Sequence, residues 1–294
     1  MLFLKTEFMK KHYYILTALC MMFSSCDTIT TSKHFNSSHV ESGQVYFTTY
    51  QGTCILPGDY VFDTGASVSS FSECDSAFST ARKTTHRLRL SDISGTSVTI
   101  PYYYLKEKKF DDIVIHNLYM GKSNSNDFRW GVIGMDVIEK MNWLINFKDS
   151  TISCFSKDSA FTIPTENFML LEYHNKFAPK ISLIINNTRV DSILFDTGSG
   201  AGLSLSKEQI KKIGNNAVTD TLKEINKGLF TKEHYDTVSV YVYDTLIINS
   251  ASVYNATIGE ITNQKMGSGI GMGFFRAFDN LFIDTKNQVF YLYN

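Results

Sequence analysis

Two stretches of this chain repeat each other where repetition has chemical consequences. Tyr60-Val61-Phe62-Asp63-Thr64-Gly65-Ala66 returns as Ile193-Leu194-Phe195-Asp196-Thr197-Gly198-Ser199. In both, apolar residues lead into Phe-Asp-Thr-Gly and a small residue follows. Such a run reads as a buried strand ending in a tight turn, because Gly reaches backbone angles that other residues resist. A carboxylate at the end of a buried strand is costly to desolvate and needs a partner. Two such carboxylates can serve each other by sharing one proton. A single Asp-Thr-Gly arises by chance in roughly one chain in ten of this make-up. Two with the same lead-in constrain the fold far more.

The repeat extends beyond the motif. Asp63 and Asp196 stand 133 residues apart (196 − 63), as do Gly95 and Gly228 (228 − 95), each in a polar patch between strand-like runs. Gly134 lies in Trp130-Gly131-Val132-Ile133-Gly134-Met135-Asp136, and Gly271 in Gly269-Ile270-Gly271-Met272-Gly273. These two are 137 apart (271 − 134), a drift that one loop absorbs. Three landmarks in one order at nearly one offset indicate duplication, with a period far too long for a solenoid. The expected architecture is two related lobes facing each other across a pseudo-twofold axis.

A chain of 294 residues has material for two modest domains. Its 22 Phe and 16 Tyr, with Val, Ile and Thr, favour strands. The expected class is all-β with few short helices. In the first half, strands are expected over 44–50, 54–56, the run into Asp63, 112–118, 142–147 and 151–155. A short helix is expected over 75–82, and a hairpin from 86–90 and 98–105 around Gly95. Residues 157–166, with Pro164, form the joint. The second half follows with strands over 168–173, 180–185 and 188–196, the last two joined by an Asn186-Asn187 turn. Ser206 with Gln209 fits a capping box for a helix that Gly214 ends. Strands over 218–225 and 238–248 flank Gly228, and 281–284 and 289–293 close the chain. The expected lobes are 44–158 and 159–294.

Residues 1–26 read as an address. Lys10, Lys11 and His12 precede an apolar run over 14–23, followed by Ser24-Ser25-Cys26. The run is too short to span a bilayer comfortably. Met9 also reads as a start, with residues 1–8 as an extension. The pattern resembles a bacterial lipoprotein signal, which implies that Cys26 is the lipidated first residue. Phe23 departs from the Leu usual at its place, and simple secretion is the alternative. No acidic run follows Cys26, so the anchor is expected to face the periplasm, in the cell envelope. Residues 27–43, rich in Ser, Thr, Asn and His, read as a flexible tether. Beyond them lie Cys54, Cys74 and Cys154, whose spacing fits no Cys-X-X-Cys or zinc pattern. They read as core residues or as one disulfide with a spare thiol.

Pseudo-twofold pairing brings the two Asp-Thr-Gly turns to the lobe interface, where ligand sites tend to form. Like charges about 3 Å apart cannot both ionise freely, so the pair holds one proton between them. That proton belongs to the pair rather than to either Asp. One carboxylate then draws a proton from a bound water that attacks an amide carbonyl, while its protonated partner donates to the carbonyl oxygen. The scheme calls for no metal, cofactor or covalent intermediate. Gly65 and Gly198 are expected to turn each carboxylate toward its twin, and Thr64 and Thr197 to hydrogen-bond across the interface. A Thr after Asp otherwise reads as a local turn cap.

Over roughly residues 44–294 the paired motifs resemble the aspartic peptidases of the pepsin and retropepsin type, specifically bacterial retropepsin-like aspartyl proteases with two lobes in one chain. The resemblance implies that Asp63 and Asp196 are catalytic and that Val132-Ile133-Gly134 threads past the catalytic loop. Gly269-Ile270-Gly271 matches that element less well. It also implies hairpin flaps over the substrate, with Gly95 and Gly228 at their tips; two flaps are closer to a retropepsin dimer than to a pepsin. No Tyr-Gly-X-Gly flap is present. Ser199, as in pepsins, can support its carboxylate by hydrogen bonding, whereas Ala66, as in retropepsins, cannot. This asymmetry suggests activity at mildly acidic to neutral pH rather than below about pH 3.

The net charge of −1 gives no reason to expect nucleic acid as a partner. Gly-X-Ser-X-Gly, His-Glu-X-X-His, P-loop and EF-hand patterns are absent, and the glycines over 267–273 miss the dinucleotide spacing. The expected partners are a peptide or protein substrate and, through the lipid, a membrane. The expected assembly is a monomer with an internal pseudo-dimer. The rival reading is a lipid-anchored peptide- or protein-binding protein that keeps the fold without turnover. The intact Asp, Thr and Gly of both motifs favour the enzyme.

Overall fold

The structure, a computed structural model, describes residues 38–50, 52–91, 97–123, 131–163, 168–214, 219–226, 234–249, 251–261 and 267–294. Of 219–226, 234–237 and 255 only the backbone is described. Cys26, Gly95, Trp130, Pro164 and Gly228 lie outside these residues.

Two sheets carry the described chain, and eight strands of one repeat the order of eight in the other. The first runs Thr48–Tyr50, Thr53–Leu56, Tyr60–Phe62, Gly131–Ile133, Ser70–Ser72, Ile113–Ser123, Ser97–Phe110 and Arg82–Ser91. The second contains, in the corresponding order, Phe168–His174, Lys180–Ile185, Thr188–Asp196, Gly269–Gly271, Leu203–Ser206, Ala251–Ile261, His234–Ile248 and Thr219–Asn226. In each, the strand before Asp-Thr-Gly pairs in parallel with the apolar-Gly strand: Val61 opposite Val132, and Phe195 opposite Ile270. The short strand after the motif then pairs with the other side of that threading strand, antiparallel. A motif flanked on both sides by ladders has its backbone fixed.

The halves are joined by a shared sheet. Asn142–Asn146 lies antiparallel to Asn280–Asp284, with Leu144 opposite Phe282. Outward from this seam follow Thr151–Phe155 on one side and Val289–Tyr293 on the other. The first half thereby contributes Gly43–Tyr46, Asn142–Asn146 and Thr151–Phe155 to the sheet of the second. All described residues fall in one compact unit, Ser37–Asn294.

Local sequence explains most boundaries. Asn186 and Asn187 both take positive φ, 46° and 64°, which a tight hairpin turn between right-twisted strands requires. The Ser206–Gln209 capping box closes on the helix Lys207–Lys212, and Gly214, at φ 87°, lies just beyond it. The helix expected over 75–82 is a single 3₁₀ turn, Ser76–Ser79, capped by Asp75. Arg82 already belongs to the following strand, whose hydrogen bonds outweigh the weak helical pattern. The three cysteines among the described residues are free thiols: Cys54 and Cys154 are buried, and Cys74 is exposed. Burial pushes the Cys54 thiol up to about 12.

The two Phe residues preceding Asp anchor the core beneath the motif. Phe62 meets Trp143 edge-on at 5.1 Å, and Phe195 is stacked between Phe290 at 3.7 Å and Phe275 at 4.2 Å. Phe62 and Phe195 are fully buried. Truncating Phe195 to Ala removes both stacked faces and leaves a cavity under Asp196. The expected loss is about 3–5 kcal/mol, read as a lower urea midpoint at unchanged slope.

Candidate active site

The two Asp-Thr-Gly loops meet at the junction of the halves, held by reciprocal threonine bonds. The Thr64 hydroxyl donates to the Phe195 carbonyl at 2.8 Å and accepts from the Thr197 N–H at 3.0 Å. The Thr197 hydroxyl donates to the Phe62 carbonyl at 2.8 Å and accepts from the Thr64 N–H at 3.0 Å. Both threonines are fully buried, so each hydroxyl uses its donor and an acceptor lone pair on the opposite chain segment. Bonding across 133 residues replaces the local cap that one Thr after Asp would suggest.

The glycines have a different purpose from the one their sequence context suggests. Positive φ among the described glycines falls at Gly52, Gly58 and Gly214, so neither Gly65 nor Gly198 is needed for left-handed backbone. They are needed for space. A Cβ on Gly65 would lie 2.5 Å from the Asp196 carboxyl carbon, and one on Gly198 would lie 2.3 Å from that of Asp63. Each carboxyl therefore rests against the bare backbone of the other loop, and the two are in hydrogen-bond contact.

Each carboxyl is also held from its own side. Asp63 Oδ1 accepts the Gly65 N–H at 2.8 Å and the Ala66 N–H at 3.0 Å, and Asp196 Oδ1 accepts the Gly198 N–H at 2.8 Å. The Ser199 hydroxyl accepts the Ala201 N–H at 3.3 Å, forming a local turn. The support expected from that hydroxyl thus comes from backbone N–H groups on both loops. Burial pushes both acids above the ordinary Asp range. The push is greater at Asp196, where burial is joined by repulsion from the Asp63 charge and by its hydrogen bond to Asp63. The two acids interact directly, so the retained proton belongs to the pair.

Among solved structures, an aspartic proteinase from Irpex lacteus matches at TM-score 0.54 and 12% identity. The match covers 86% of this chain and 97% of that one. The fold is that of a two-lobed aspartic proteinase. A retropepsin-like aspartic protease from Rickettsia conorii also matches, covering 45% of this chain and 96% of that one, at 16% identity and TM-score 0.33. No family model matches the chain, and no curated protein matches it in sequence.

Within this fold the threading strands lock the loops from behind. Ile133 accepts the Asp63 N–H at 3.0 Å, and the Met135 N–H donates to the Ala66 carbonyl at 2.8 Å. The Met272 N–H donates likewise to the Ser199 carbonyl at 2.8 Å. The poorer match of Gly269 to an apolar position does not disturb the pairing, since Leu194 faces it in register. The hairpins Arg82–Ser91 with Ser97–Phe110, and Thr219–Asn226 with His234–Ile248, occupy equivalent places in the two sheet orders. Their tips, with Gly95 and Gly228, lie outside the described residues. Among the described residues, no group of three or more His, Cys, Asp or Glu is placed to hold a metal ion.

The sequence reading passed over Ser69 and Asp136. Ser69 donates to Asp136 Oδ1 through its N–H at 2.9 Å and its hydroxyl at 2.8 Å. The signal available was positional, a hydroxyl six residues after the first Asp and an acid two after Gly134.

Two expected outcomes follow. Replacing Thr64 by Val keeps the shape but strands the buried Thr197 N–H and Phe195 carbonyl. The expected cost is about 2–5 kcal/mol, read by chemical unfolding. The pKa shift of Asp196 sets the sign of its pH effect. Its folded-state pKa is raised, so its contribution is fully present below the unfolded pKa and is lost as pH rises toward the folded value. Asp196→Asn should therefore raise Tm relative to wild type more at about pH 7 than at about pH 4.

Proposed function

We propose that this chain is an aspartic endopeptidase that hydrolyses peptide bonds with a water activated by Asp63 and Asp196. The observation that carries this reading is the reciprocal seating of each carboxyl on the glycine of the other loop. Two acids in hydrogen-bond contact, half-buried and both pushed upward, retain one proton over a range where isolated Asp residues are ionised. A water between them meets a base and an acid at once.

In the proposed step, the ionised carboxylate takes a proton from the water, whose oxygen bonds to the amide carbon. The partner's proton passes to the carbonyl oxygen, giving a neutral tetrahedral diol. Collapse reverses these roles: a diol hydroxyl returns a proton to one carboxylate, the other acid protonates the nitrogen, and the C–N bond breaks. The threonine cross-bonds supply the rigidity this exchange requires, since misplacement by about 1 Å forfeits much of the rate. We further propose, from the N-terminal sequence, a lipid anchor at Cys26 and a place in the cell envelope. The tether expected over 27–43 is shorter than that, because His39–Glu41 pairs with Ile113–Ser123, Val40 is buried and Gly43 opens the next strand.

Digestion of a peptide library by the protein without its signal tests the assignment. Asp63→Asn and Asp196→Asn should each lower kcat/KM by about 10²–10⁴-fold. The wild-type profile should be bell-shaped with its maximum above about pH 3. Cleavage that survives either substitution would overturn the reading.

A further inference from the structure

The two loops share a geometry but are not fastened alike. Behind Asp63 the fastening uses side chains: the Gly134 N–H donates to the Ser69 hydroxyl at 3.1 Å, and that hydroxyl donates onward to Asp136 Oδ1. The Ser69 N–H reaches the same oxygen, while the Ser69 carbonyl accepts the Gly121 N–H at 3.0 Å. One carboxyl thus ties together the end of the Asp63 loop, the threading strand and the strand Ile113–Ser123. Behind Asp196 the equivalent places are Gly202 (202 − 69 = 133) and Gly273 (273 − 136 = 137). That closure is backbone alone, with the Gly271 N–H on the Gly202 carbonyl at 3.1 Å and the Gly273 N–H on the Ala201 carbonyl at 3.0 Å.

We propose that Asp136 is a positioning residue for Asp63, holding its loop through Ser69, and that the protonation state of Asp136 sets how firmly that loop is closed. The proposal rests on the proteolytic reading only in its effect on activity. The carboxyl faces Tyr102 from the strand Ser97–Phe110, with Tyr119 stacked beyond at 6.0 Å, and feels Lys140 from the turn after the helix Met135–Ile138. Lys140 and the Ser69 donors favour ionisation but are outweighed by burial, which pushes Asp136 up to about 7. When the loop opens, the carboxyl meets water and its pKa returns toward about 3.9. The closed form alone keeps the proton between those values, so opening becomes easier as pH rises through that window and levels off above it. The loop carrying Asp196 has no such group at the matching place.

Hydrogen exchange of the full chain, corrected for intrinsic rates, reads this without reference to catalysis. Both loops carry an acid of the dyad, so the comparison is made within residues 63–72: between about pH 4.5 and pH 7.5 their protection should fall by at least about tenfold more in wild type than in Asp136→Asn. Asp136→Asn keeps an acceptor for Ser69 and cannot ionise, so the fall in protection that remains in it is the dyad's own. Asp136→Ala should be weakly protected throughout. In library cleavage, the Asn variant should keep a larger share of its maximal kcat/KM at about pH 7 than wild type does. An Asn variant whose residues 63–72 lose protection with pH as wild type does would overturn the proposal. If wild type cleaves nothing, the proteolytic reading fails while hydrogen exchange still decides the role of Asp136.

Discussion

The reciprocal threonine bonds are the constraint on which the rest of the structure depends. Thr64 and Thr197 are fully buried, and each satisfies a backbone N–H and a backbone carbonyl of the other half. Such groups can go unpaired only at the cost of their full desolvation. The four bonds therefore act as one cooperative lock, and separating the halves there would strand several buried polar atoms at once. Closing the lock brings two acids into contact, an arrangement that charge alone opposes. The repulsion is borne by the surrounding scaffold: Phe62 and Phe195 packed beneath, ladders on both sides of each threading strand, and the shared sheet at Leu144 and Phe282. Paired acids with perturbed titration are commonest at functional sites.

Duplication accounts for this economy. One strand order used twice creates the twofold relation that sets like groups face to face. The copies then diverge where symmetry is not needed. Ser69 and Asp136 in one half stand against Gly202 and Gly273 in the other, and the loops keep the same shape with different fastenings. A twofold dyad whose halves are fastened differently can respond unequally to pH while its two carboxyls stay symmetrically placed.

Much of this was legible in the sequence because duplication makes distant residues comparable. The equal spacing of the two Asp-Thr-Gly runs gave both the register and the cross-pairing, and Asn186-Asn187 and the Ser206–Gln209 box gave local boundaries. What escaped depends on the space between segments. The glycines of the motif read as turn-formers, yet their role is to leave room for the opposite carboxyl, a distance no single segment contains. Ser199 reads as a support for Asp196, yet the bond its hydroxyl makes is to the Ala201 N–H, which it accepts, and the Asp196 carboxyl is held by the Gly198 N–H. Asp136 stayed inconspicuous because nothing in its neighbourhood in sequence reveals that Ser69 arrives beside it. The short helix expected over 75–82 yielded to pairing of Arg82 with Tyr104, a contact between segments that local propensity does not register.

Ala66 against Ser199 was the asymmetry that sequence offered for tuning the pair, and the structure moves the asymmetry elsewhere. The glycine N–H of each motif serves its own acid and the Ala66 N–H adds a second bond to Asp63, whereas the Ser199 N–H donates to the Asp196 backbone carbonyl at 3.3 Å. A hydroxyl at that position, bonded to Ala201, shapes the turn rather than the charge. The difference that reaches a titrating group lies one layer behind, where Asp136 stands in one half and Gly273 in the other. Backbone donors hold the acids in place and lower both. Buried acids that bond to those loops from outside are where two otherwise equivalent halves can be set apart.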